Sequence, residues 1–142
     1  MQTKSVAVLA SSLATACFLT GPSSPVGSYR LVKFGVDAIP VQLFELPDEH
    51  GQPTGCWYAL TEGTLHLESA PAHFSYELIY RNSCTNAVLF DNVVEGHYEG
   101  DGEELTFFVN ATDGGISFPV EWHDDRLIVR EDASHVYTFK KT

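Results

Sequence analysis

From Gly27 onward the sequence predicts an all-β fold, an eight-stranded antiparallel up-and-down barrel with one long lid-like connection at 35-55. Three observations lead there. No long stretch after Gly27 carries the apolar period of an amphipathic helix. Short runs rich in Val, Ile, Phe, Tyr and Thr alternate apolar with polar instead. When consecutive runs are folded into antiparallel pairs, every hairpin places its apolar residues on one common face. Eight runs result, and an even number lets an up-and-down sheet close and lose its exposed edges.

The elements follow in order. The first strand is GSYRLVKF at 27–34. Seven more are expected near 56–67, 74–82, 87–98, 104–110, 115–122, 126–131 and 135–141. Leu67 and Leu65 oppose Phe74 and Tyr76 around ESAPAH. Tyr80, Leu78 and Phe74 oppose Val88, Phe90 and Val94 around NSCTN. Val94, Gly96 and Tyr98 oppose Val109, Phe107 and Leu105. The last three in turn oppose Ile116, Phe118 and Val120. Val120 and Phe118 oppose Leu127 and Val129 around EWHDDR, and these two oppose Phe139 and Tyr137. The other face carries Thr64, His66, Glu77, Arg81, Glu95, His97, Thr106, Arg126 and Arg130. Pro119 shares that outward parity, which marks a bulge or an unbonded position.

The 35-55 connection holds another strand-like run, PVQLFEL, read as a lid or a short accessory strand. Ile39, Val41, Leu43 and Phe44 have no reason to be apolar in a solvated loop. They are expected to cover apolar surface at the barrel mouth.

Composition bounds the function. The chain has 142 residues, with 8 Lys+Arg against 19 Asp+Glu and a net charge of −11. That length suits one domain. The acidity excludes a nucleic-acid binder held by phosphate contacts. Abundant aromatic and branched residues argue against disorder.

The first residues read as an address. In 1-16, MQTKSVAVLASSLATA, Lys4 precedes an apolar run that ends in a small-residue cleavage pattern, as in a signal peptide. The run is too short to span a membrane, which needs ~20 apolar residues. Leu13-Ala14-Thr15-Ala16-Cys17 resembles the lipobox of bacterial lipoproteins, in which the cysteine is lipidated. Residues 17-26 then form a Gly/Ser/Pro tether, and 27-142 the barrel. Plain secretion with a chance Cys17 is the alternative. The three cysteines fit the first reading. Once Cys17 carries lipid, Cys56 and Cys84 are free to pair in an oxidising compartment. The expected register sets Cys84 opposite residue 57, so pairing with Cys56 requires a bulge, which Gly55 or Gly63 could admit. Two buried free thiols are the other possibility.

An export signal, Gly27-Ser28-Tyr29 opening the first strand and an eight-stranded meander together resemble the lipocalin-like (calycin) barrels, in particular bacterial lipocalin-like envelope lipoproteins. Tyr29 stands where the family's opening motif has Trp. The resemblance implies a basic residue from the last strand packed on that ring, here Lys141. It also implies a closed end where the first strand begins. The mouth then lies opposite, with 35-55 above it.

No catalytic set is present: no Gly-x-Ser-x-Gly, no phosphate loop and no His-Glu-x-x-His. His66 and His97 have outward parity. His123 lies in a tight turn, and Glu131 is placed to face His135 as an ion pair. Asn110-Ala111-Thr112 matches a glycosylation sequon by chance. Neither metal nor cofactor is expected. The candidate ligand-binding residues are interior ones: Tyr76, Leu78, Tyr80, Phe90, Val109, Ile116, Val129 and Tyr137. They define either an apolar pocket with tyrosine hydroxyls as its polar contacts, or a core filled by its own side chains. Acidity at the mouth would disfavour anionic ligands such as fatty acids, an effect that salt screens. The expected function is therefore non-catalytic binding of a small apolar or amphiphilic ligand by a lipid-anchored envelope protein with no nucleic-acid partner. The alternative is a protein-binding module with a filled barrel.

Overall fold

The computed structural model describes residues 24–100, 102–110 and 115–142. The signal at 1-16, Cys17 and most of the 17-26 tether lie outside them. Ten strands and no helix occur among the described residues: β1 (Gly27–Phe34), β2 (Asp37–Ala38), β3 (Val41–Pro47), β4 (Pro53–Ser69), β5 (Ala72–Asn82), β6 (Val88–Glu99), β7 (Glu104–Val109), β8 (Ser117–His123), β9 (Arg126–Arg130) and β10 (Val136–Lys141). Eight of them close a ring. β4 to β10 form an antiparallel meander, and β1 joins β10 on one side and β4 on the other. β2 and β3 stand outside that ring.

Alternation drives the closure. Tyr29, Leu31, Leu65, Leu67, Phe74, Tyr76, Leu78, Phe107, Leu127, Val129 and Phe139 point inward and are almost completely buried. Each such side chain contributes about 1.5–3 kcal/mol on burial. Phe74 and Phe107 stack with centroids 4.0 Å apart across the interior. Gly96 makes room for them. A Cβ there would lie 1.9 Å from the Phe108 carbonyl oxygen and 3.0 Å from the Phe74 ring.

Several registers match expectation. Leu65 faces Tyr76, Phe107 faces Phe118 and Phe139 faces Leu127. Three hairpins sit two residues away from the expected pairing. Phe74 faces Gly96 rather than Val94, Tyr98 faces Phe107 rather than Leu105, and Val120 faces Val129 rather than Leu127. A slip of two keeps every side chain on its face, so the core survives the correction. For β8 and β9 the cause is the turn. Only Asp124 and Asp125 lie between the paired His123 and Arg126, and Asp124 has φ 54°, a left-handed turn conformation that Asp tolerates. The tight turn carries Trp122 onto the inward face, opposite Leu127.

A bulge in β4 decides the upper half of the barrel. Leu60 faces Tyr80 but Glu62 faces Ile79, leaving Thr61 as the extra residue. Thr61 Oγ1 donates to the Ile79 carbonyl, and the Arg81 guanidinium donates to Thr61 Oγ1. Beyond the bulge, inward parity passes from Leu65 and Gly63 to Leu60 and Tyr58. The same step brings Cys56 opposite Cys84, and they form a disulfide with 5.4 Å between Cα atoms.

The lower end is sealed. Tyr29 is buried, its hydroxyl donates to the Pro25 carbonyl, and Lys141 Nζ lies 5.8 Å from its ring centroid. Lys141 Nζ also donates to the Ser24 carbonyl. Burial, with the Asp125 charge adding to it, pushes the Tyr29 hydroxyl up to about 12.

At the upper end β1 and β4 part. They pair only from Gly27–Arg30 against Leu67–Thr64. Above that, β2 pairs with Lys33 and Phe34 of β1, and β3 pairs with β4 from Pro53 to Leu60. The 35-55 connection is thus two strands outside the ring, one paired to each side of the split between β1 and β4. Asp48 holds the turn after β3 by accepting from the His50 and Gln52 amides at 2.8 Å.

Candidate binding site at the barrel rim

β4, β5 and β6 run past the upper limit of the shorter β7–β10 wall, and β3 extends them sideways. Their inner face there carries a row of aromatic rings. Phe44 stacks on Tyr58 at 4.7 Å, Tyr58 on Tyr80 at 5.2 Å, and Phe90 tilts against Tyr80 at 6.0 Å. Strand pairing sets the row: Phe44 faces Tyr58 and Tyr80 faces Phe90. The row lies open, with Phe44 52% and Phe90 51% exposed. Ile116, just before β8, is 62% exposed at the same end of the barrel.

Below the row lies a polar floor. The Tyr76 hydroxyl donates to Glu131 Oε2 at 2.7 Å. Burial pushes the Tyr76 hydroxyl well above its ordinary value, and the Glu131 charge and hydrogen bond add to it. Tyr137 is raised in the same order: burial first, then the Glu131 charge and the Tyr80 hydroxyl. Tyr80 is raised by burial and partly restrained by the Tyr137 hydroxyl. These tyrosines therefore stay neutral around the carboxylate. Phe34 adds a ring 5.3 Å from Tyr137.

The eight interior candidates divide into two groups. Tyr76, Leu78, Val129 and Tyr137 are packed into the core, while Tyr80 and Val109 rest partly buried against it. Phe90 and Ile116 stand on the rim. Val88, expected inward, is exposed. A second bulge between Tyr80 and Arg81 pairings sets it opposite Arg81. Of the lid residues, Ile39 packs on the core, Val41 faces Leu60, and Leu43 sits at a register break in β3. Phe44 belongs to the aromatic row.

Tyr58 and Glu131 are the residues that sequence reasoning left off the site. Tyr58 takes inward parity only because of the Thr61 bulge. Glu131 continues the inward parity of Leu127 and Val129, a signal that was available. The ion pair expected between Glu131 and His135 does not form. His135 Nδ1 lies 2.9 Å from Asp132 instead, and that hydrogen bond holds the Asp132 carboxyl below its ordinary value. His66 bonds to the Ser28 hydroxyl, His97 stacks on Phe108, and His123 lies near Glu103 and Glu121. Among the described residues no three His, Cys, Asp or Glu side chains converge to hold a metal.

A separate open cleft of about 600 Å3 lies beside the β2–β3 corner, lined by Asp37, Gln42, Ala59, Thr61, Asn82 and Asn86 among others. None of the interior tyrosines lines it. The chain matches no protein family, no curated protein and no solved structure.

Proposed function

We propose that this chain is a non-catalytic, lipocalin-like envelope lipoprotein that binds a small amphiphilic ligand at the barrel rim rather than in its interior. One observation carries the reading: an exposed aromatic row stands directly above a core of closely packed, buried side chains. Sixteen interior side chains form one buried cluster, none more than 5% exposed. A ligand has little to displace on the rim, where four rings offer flat apolar surface. The Cys56–Cys84 disulfide fits an oxidising, exported setting. A Cys17 anchor would enter the domain at the sealed end, where Ser24 and Pro25 are bonded, and would leave the rim facing away from the bilayer.

The test uses the neutral dye Nile red with two variants. Phe90→Ser should remove most dye binding with little change in melting. Leu78→Ala should lower melting by several degrees and leave the remaining folded protein able to bind dye. Dye binding that survives Phe90→Ser and Phe44→Ser would overturn the rim assignment.

A second reading, a protein-binding module with a filled barrel, is favoured by the packed core and by the open side of β3, which among the described strands pairs with β4 alone. Native mass spectrometry of protein taken from its own envelope separates the two. The rim reading predicts a small-molecule adduct, and the second predicts a stoichiometric protein partner.

A further inference from the structure

Glu131 is a carboxylate on the inward face at the upper end of the barrel, beside Tyr76, Tyr80 and Tyr137. Its hydrogen-bond partner is a tyrosine hydroxyl, and it belongs to no ion pair among the described residues. No basic side chain among the described residues lies within ion-pair distance of Glu131. Arg81 pairs with Glu62, Arg130 with Glu121, and Lys141 lies at the sealed end. Tyr76, Tyr80 and Tyr137 present neutral rings and hydroxyls around the carboxylate, and the aromatic row begins at Tyr80. A half-buried anion beside tyrosine faces is complementary to an organic cation, which gains from both the charge and the ring quadrupoles. The whole chain carries −11, which repels anions and attracts cations.

Resting on the rim-binding reading above, we infer that the ligand class is a cationic amphiphile. Its ammonium group sits over Glu131 beside the half-buried Tyr80, and its apolar chain lies along Phe44, Tyr58 and Phe90. The arrangement separates the two halves of the ligand: the floor selects charge and the row selects apolar length.

The experiment compares three probes with the same alkyl chain, decyltrimethylammonium, decanol and decanoate, by calorimetric titration below their micellar concentrations. Decyltrimethylammonium should bind tightest and decanoate weakest. Glu131→Gln keeps an acceptor for the Tyr76 hydroxyl. It should weaken decyltrimethylammonium by about tenfold, the order of one lost charge interaction at a half-buried site. Decanol should change little. Phe90→Ser should weaken all three. Equal binding of the three probes, or an unchanged preference in Glu131→Gln, would overturn the cation inference and leave rim binding standing. Failure of every probe to bind would overturn both.

Discussion

Tyr76 and Glu131, 55 residues apart in the chain, join across the barrel through one hydrogen bond of 2.7 Å. The bond ties β5 to the end of β9 and forms the boundary between the packed core and the open rim. Because Tyr76 is buried, its hydroxyl has no water to turn to. Tyr76→Phe should therefore cost about 1–2 kcal/mol, the range for losing a hydrogen bond to a charged group that keeps partial access to solvent. Urea unfolding should show a lower midpoint with an unchanged slope. An unchanged midpoint would mean that the bond contributes nothing.

Gly96 should tolerate no side chain. The Cβ of Gly96→Ala would meet backbone, the Phe108 carbonyl oxygen at 1.9 Å, and backbone in a closed sheet cannot swing aside. The expected cost is about 3 kcal/mol or more. Gly102→Ala is the control: nothing lies within 4 Å of its Cβ, and with φ at +65° it should pay only the smaller cost of a left-handed turn residue.

The disulfide closes a loop with a sequence separation of 28. Chain entropy gives ~3–4 kcal/mol for a loop of that size. The loop is the β4–β5 hairpin, whose ends already stay near each other in the unfolded chain, so the measured value should be smaller. Replacing Cys56 and Cys84 together by Ala should lower stability by about 2 kcal/mol. Circular dichroism should show the strand content retained.

Alkaline titration should expose the tyrosines as a group. Every one of the six is raised above its ordinary value of 10.0, with burial the first cause. A folded-state value above the unfolded one gives stability that is complete below pH 10 and is lost as pH climbs toward the folded value, about 12 for Tyr29. Absorbance at the tyrosinate band should lag behind that of free tyrosine and rise together with unfolding. Tyr29→Phe should make the alkaline loss shallower. A normal titration of several tyrosines near pH 10 in folded protein would contradict the packed interior.

Parity was legible in the sequence, while register was legible only in part. Alternation of Leu65, Leu67, Phe74 and Phe107 assigns the inward face without any knowledge of turn geometry. The exact pairing depends on turns and bulges, which are settled by one or two residues. The tight turn at Asp124 shifted one hairpin and hid Trp122. The Thr61 bulge reverses parity in the upper half of β4, so Tyr58, in the sequence on the parity of Thr64 and His66, carries no inward signal there. Yet the Cys56–Cys84 pairing required such a bulge, and the pairing was foreseen with the bulge set at Gly55 or Gly63 rather than Thr61. The PVQLFEL run of the 35-55 connection, strand-like in the sequence, is β3. The division of the connection into β2 and β3 follows from the parting of β1 and β4, a property of the closed sheet rather than of the segment itself.

The central claim is that ligand contacts lie on the rim above a filled barrel. Intermolecular NOEs from an alkyl probe to the protein test it most directly. The probe's methylenes should show contacts to the rings of Phe44, Tyr58 and Phe90 and none to the methyl groups of Leu65, Leu127 and Val129. Contacts to those buried methyls, with the rim rings silent, would mean that the interior opens to admit the ligand and would contradict the account.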